Sequence, residues 1–302
     1  MVYQDNYMVI LNSADANKKL NTTQNSNVIF SFIGLLKQDD DIIRTDISIV
    51  NSQFPISFYI INSTNNKLYF LYNSVLKNIT LSDGNYNAID FITLLTAGFT
   101  SVSATVTPTI NRNTGVLSFV SALPFQIKYA NTTCSSILGL GTSDSALGTN
   151  ITLPYPLNLL GVKKLLIKST SLAIIAYSSK TLNFTDIICS IPCDQPYFNM
   201  ISYVNQNDLN KNILKAPYID TIDIQITDEN DNLVDFHNLD WTITLVVSNN
   251  RNDKIQDNVH LDQFIKSLKN NIEIPPPTLP QQILPPQKPI SENEKILNFL
   301  EK

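Results

Sequence analysis

Through most of the chain apolar and polar residues alternate with a period of two, the mark of strands that bury one face. The clearest stretch is 219–227, where Ile222, Ile224 and Ile226 alternate with Asp223 and Gln225. An acidic turn follows, Asp228-Glu229-Asn230-Asp231-Asn232, and then a second alternating run over 242–247. Trp241, Ile243 and Leu245 share one face of that run, which is predicted to be core. Trp241 is then expected to lock the corner, with its indole N–H bonded to a backbone carbonyl. Further strands are predicted at 7–11, 28–33, 46–50, 67–72, 164–168, 171–176 and 187–191, between turns rich in Asn, Ser and Pro.

The block 73–148 reads differently. A helix is predicted over 88–98, with Asn87 as its N-cap, Gly98 at its end, and Ile89, Ile92, Leu95 and Phe99 on one face. Short strands at 79–81, 104–110, 116–120 and 125–129 and a helical piece at 135–140 complete a β-α-β-β-β-α unit. The predicted organisation is a mainly β chain: a single jelly-roll sandwich from 1–72 plus 149–248, an α+β insertion at 73–148, and a C-terminal arm at 249–302. The arm opens on a polar linker, 249–258. It continues with an apolar helical stripe (Leu261, Phe264, Ile265, Leu268, Ile272), two proline-rich runs and a capping box at Ser291 to Glu294. Lacking a core of its own, the arm is either disordered or docked on a neighbour through its apolar anchors.

Composition narrows the choice of partner. A net charge of −5 gives no broad basic footprint for nucleic acid or an anionic membrane, and the densest basic group is Lys163, Lys164 and Lys168. No apolar run approaches the ~20 residues of a membrane helix, and the first residues lack the pattern of a signal peptide. Three cysteines, Cys134, Cys189 and Cys193, argue against a disulfide framework and for a soluble protein made in a reducing compartment.

The candidate chemistry is thin. The two histidines, His237 and His260, have no second histidine beside them to build a triad or a metal site. Cys189 and Cys193 are spaced one residue too far apart for the C-x-x-C redox motif. Asp228, Asn230 and Asn232 occupy positions 1, 3 and 5 of a calcium loop, but Leu233 and Leu239 stand where Gly and Glu are needed. Asp223, Asp228, Asp231, Asp235 and Asp240 supply carboxylates without a visible cleft. Neither a P-loop nor G-x-G-x-x-G occurs. The expectation is no catalytic, metal or cofactor site.

Several motifs in order carry a resemblance. They are Ser52-Gln53-Phe54-Pro55-Ile56-Ser57-Phe58-Tyr59, Asn65-Asn66-Lys67-Leu68, Asp83-Gly84-Asn85-Tyr86, Ile137-Leu138-Gly139-Leu140, Thr227 to Asn230, Asp235-Phe236 and Asp240-Trp241. Over roughly residues 1–247 the chain resembles the penton, or minor capsid, proteins of virophages and Polinton-type viruses, of the mavirus kind. The resemblance implies a single jelly roll that forms pentamers at the fivefold vertices of an icosahedral virion assembled in the host cytoplasm. It also implies a double-jelly-roll major capsid protein as neighbour and, in some members, a domain inserted between strands. Host-surface contact through the insertion is a further expectation. Asn232 and Leu239 depart from the family, which commonly has Gly at both places. The alternative is a non-catalytic carbohydrate-binding or receptor-binding jelly-roll module.

Overall fold

In chain order the strands and helices are β1 (Val2–Asn12), β2 (Lys18–Lys19), β3 (Asn27–Lys37), β4 (Ile42–Pro55), β5 (Lys67–Tyr72), β6 (Val75–Thr80), α1 (Ala88–Ser101), β7 (Val106–Ile110) and β8 (Val116–Ile127). Then come α2 (Ser135–Leu138), β9 (Gly148–Pro156), β10 (Lys164–Lys168), β11 (Ala176–Ser178), β12 (Asn183–Thr185), β13 (Ile187–Pro192), β14 (Met200–Val204), β15 (Asn212–Ile213), β16 (Tyr218–Thr227) and β17 (Thr242–Asn252). This computed structural model describes residues 2–21, 24–37, 42–172, 176–178, 183–206, 211–214, 218–252 and 266. The chain divides into Met1–Asn252 and Asp253–Lys302. The arm predicted at 249–302 therefore lies almost wholly outside the described residues. Its first four residues, expected as linker, are instead the end of β17, whose register with β1 runs on to Val2 opposite Asn252.

Two antiparallel sheets form a sandwich. One has the order β1-β17-β4-β14, with β15 also on β4, and the other has β13-β10-β16-β3-β2. Taking β14 and β15 as one interrupted strand, the eight main strands pair first with last (β1·β17), second with seventh (β3·β16), third with sixth (β4·β14) and fourth with fifth (β10·β13). That nesting is one long hairpin. The contacts β17·β4 and β16·β10 roll it into two sheets. This is the jelly roll, and the fold is mainly β.

Alternation decides what fills the sandwich. Val9, Leu11, Ile47, Ile49, Ile243, Leu245 and Val247 from the first sheet meet Val28, Phe30, Leu165, Ile167, Ile222, Ile224 and Ile226 from the second. Each such side chain contributes about 1.5–3 kcal/mol when taken from water. Trp241 is 1% exposed, and its Nε1–H donates to the Asn25 carbonyl at 2.6 Å, as the sequence led one to expect. The predicted strand over 171–176 does not form at its start. Ser169 to Leu172 make a turn bound to the Asp223 carboxylate, and 173–175 lie outside the described residues.

A third sheet, β6-β5-β8-β7 with β9 on β8, lies between the third and fourth jelly-roll strands in sequence. β5 and β9, expected in part with the sandwich, pair instead with β6 and β8, because Leu68, Phe70, Ile151 and Leu153 face the second core. The sequence boundary at residue 73 consequently falls inside the β5–β6 hairpin. The two strands predicted at 116–120 and 125–129 are a single strand, β8, carried past an irregularity at Ser121 to Leu123. Helix α1 covers this sheet. Asn87 caps it by accepting from Ile89 and Asp90 N–H, each at 2.9 Å. Its buried face is Phe91, Leu95 and Phe99, whereas Ile89 is 67% exposed. At about 100° per residue Ile89 lies roughly 120° from Leu95, too far round to share its stripe. Nor does Gly98 end the helix, which continues to Ser101. A Cβ there would stand 2.7 Å from Ile79 Cδ1, so this Gly permits close approach of α1 to β6. The rings of Phe70, Phe99, Phe119 and Phe125 form the centre of the core, with centroids 5.1 to 6.0 Å apart.

Candidate functional site

The loop from β16 to β17 is built from short polar residues that bond to their own backbone. Asp228 Oδ1 accepts from the N–H groups of Asn230 and Asn232, at 2.7 and 2.9 Å, and Oδ2 accepts from Asn232 Nδ2. Its carboxylate is thus used in closing the turn, which favours a structural turn over a calcium loop. The left-handed residue is Asp231, at φ +70, rather than Asn232. Among the described residues no group of three or more His, Cys, Asp or Glu side chains is placed to hold a metal.

The second bend of the loop places its left-handed residues before Leu239. His237 and Asn238 take φ values of +49 and +60, and Leu239 N–H donates to the Phe236 carbonyl at 2.9 Å. Two central residues with positive φ and that closing bond make a type I′-like turn, so Leu239 itself needs no left-handed backbone. Asp235 Oδ1 accepts from His237 N–H, and Ser57 Oγ donates to the Phe236 carbonyl. Phe236 is buried against Phe54 and Phe58, while the His237 ring lies over Tyr59 with centroids 4.2 Å apart. These contacts join the β16–β17 loop to the segment that leads out of β4 into the third sheet.

A polar cleft of about 680 Å³ opens along this seam. Its lining includes Tyr59, Asn62, Asp83, Asn158, Lys163, Glu229, Asp235 and His237. The walls are held in place from within. Asn62 and Asn65 bond to their own loop, through Asn62 N–H to Asn65 Oδ1 at 2.8 Å and Asn65 Nδ2 to the Ile60 carbonyl at 2.8 Å. A second, mainly apolar hollow of about 520 Å³ lies where Tyr86, Ile110, Leu157, Leu159, Tyr197 and Phe198 meet. Phe198 is 87% exposed and has φ +67.

The outer face of the first sheet is the other unusual surface. β1 is its edge strand, and Met8 and Ile10 point outward at 69% and 71% exposure, opposite Val246 and Thr244 of β17.

In the apolar hollow, burial raises the pKa of Tyr86 and of Tyr197. Burial pulls the Asp223 pKa upward, but hydrogen bonds from Ser171 and Thr170 outweigh it and leave the carboxyl at about 2. Burial pushes the Cys134 thiol up to about 12, and burial with nearby Glu229 and Asp194 does the same to Cys193. Neither is a poised thiolate.

The chain is similar in fold to the crystal structure of a mavirus penton protein. The identity is 10% and the TM-score 0.47, over 83% of this chain and 99% of that one. No family model matches the sequence, and no curated protein does. At these values the likeness assigns no function.

The five carboxylates singled out in the sequence are dispersed by the fold. Asp223 holds the 169–172 turn, Asp231 pairs with Lys168 at 2.9 Å, and Asp240 accepts from Ser13 Oγ at 2.7 Å. Only Asp228 and Asp235 line the cleft, together with His237. His260 lies outside the described residues. Tyr59, Asp83 and Asn158 were not anticipated there, since more than seventy positions separate each of them from Asp235 and only the topology brings them together. The Asn-rich turns 62–66 and 228–232 were the one local hint.

Proposed function

We propose that the chain is a capsid subunit that closes into a ring of five at the vertices of an icosahedral virion, beside a larger double-jelly-roll protein. The observation that carries this reading is the outer face of the first sheet. A solvated antiparallel sheet shows water a polar face, yet here Met8 and Ile10 stand out from an eleven-residue edge strand. Such an edge invites pairing or burial against another chain. A ring requires a heterologous contact, in which that edge meets a different surface of the next copy and the rotation closes. The motif order in the sequence points the same way. The unit between β4 and β10 is then the part proposed to meet the host surface.

Sedimentation velocity on the purified chain tests the reading. The wild type should run as a pentamer at micromolar concentration, and Met8→Asp combined with Ile10→Asp should run as a folded monomer. A wild type that stays monomeric at every concentration would overturn it.

A further inference from the structure

The polar cleft at the seam has a chemistry of its own. Asp83 spends one carboxylate oxygen on Asn66 Nδ2, Asp235 spends one on His237 N–H, and Glu229 spends one on Lys163 N–H. No hydrogen bond from another described residue reaches the second oxygen of any of the three. The cleft therefore offers acceptors that call for O–H or N–H donors. Donors line it too. Asn158 turns its side-chain oxygen to Leu160 N–H, leaving its NH2 group, and Lys163 adds an ammonium. The Tyr59 and His237 rings, tilted at 40° to each other with centroids 4.2 Å apart, add an aromatic patch.

Three ligand classes can be compared with that lining. Four carboxylates, from Asp83, Asp228, Glu229 and Asp235, face one lysine and disfavour an anion. A cationic peptide would satisfy the acceptors but would leave the Asn158 amide idle and would meet Lys163. A sugar hydroxyl both donates and accepts, and the C–H face of a pyranose packs on an aromatic ring. A volume of about 680 Å³ accommodates a short oligosaccharide. The walls are already fixed by the Asn62, Asn65 and Asp228 turns, so little ordering is left to oppose binding.

We propose that the cleft between the sandwich and the third sheet is a binding site for neutral, polyhydroxylated ligands, namely unsialylated and unsulfated glycans. Asp83, Glu229 and Asp235 accept ligand hydroxyls, Asn158 donates to them, and the Tyr59–His237 pair packs against the sugar ring. This site does not rest on the vertex reading, and ring formation is scored separately.

The test is saturation-transfer NMR on the full-length chain with methyl glycosides of glucose, galactose, mannose and N-acetylglucosamine. Sialyllactose and hexalysine serve as charged probes. At least one neutral glycoside should bind, and Asp235→Asn and Glu229→Gln should each weaken it about tenfold or more. Asn158→Ala, at an exposed position, gives the same reading if either carboxylate variant fails to fold. Three outcomes overturn the proposal: no neutral glycoside binds at millimolar concentration, a charged probe binds instead, or binding is unchanged in all the folded variants.

Discussion

At the residue scale the strongest single anchor is Asp223. It lies on β16, yet its two oxygens accept from Ser169, Thr170 and Ser171, the turn that follows β10. Its folded pKa of about 2 lies below the ordinary 3.8. Because the folded value is depressed, the stabilisation is fully present above about pH 4 and is lost as pH falls through about 2. It amounts to about 1–2 kcal/mol once screening by solvent on the half-open carboxylate is allowed for. Urea denaturation of wild type should show that loss between about pH 4 and pH 2, whereas Asp223→Asn should be weaker at neutral pH and flatter across the window. Trp241 is the other anchor. Trp241→Phe removes the bond to Asn25 and leaves a void, at about 2–4 kcal/mol, measurable as a lower urea midpoint with an unchanged slope. The role of Trp241 was legible because the residues after it alternate cleanly. The role of Asp223 was not, since its partners lie more than fifty positions earlier in the chain.

At the element scale the two glycines that flank the second core behave differently. Gly139 ends α2 at φ +79, and a Cβ there would lie 2.2 Å from the Tyr155 carbonyl oxygen. Backbone cannot step aside, so Gly139→Ala should cost about 3 kcal/mol or more. At Gly98 the obstacle is only the flexible end of Ile79, and alanine gains helix propensity of about 1 kcal/mol. Gly98→Ala should therefore stay within about 1 kcal/mol of wild type by thermal denaturation followed by circular dichroism. The existence of α1 and its cap were readable from Asn87 and the apolar period. Its face was not, because an i, i+3, i+6 series drifts around the helix while Phe91, Leu95 and Phe99 keep to one stripe. The pattern predicts separate strands at 116–120 and 125–129, yet β8 runs on through Pro124, whose carbonyl accepts from Asn73 N–H.

At the scale of the whole molecule, alternation and turn residues indicated a sandwich, but the nesting of first strand with last comes only from the pairing of Val2–Asn12 with Thr242–Asn252. The pairing of β17 with β4 sets the β16–β17 loop against the residues that lead into the third sheet, where the cleft opens. The sheet order leaves β1 at an edge with Met8 and Ile10 turned outward. That surface is the reason for reading the chain as a ring-forming shell subunit, and a jelly roll alone would not suffice. The most direct test is electron microscopy of the purified full-length chain, averaged without imposed symmetry. The account predicts closed rings of five copies. Single copies, twofold dimers or open filaments would contradict it.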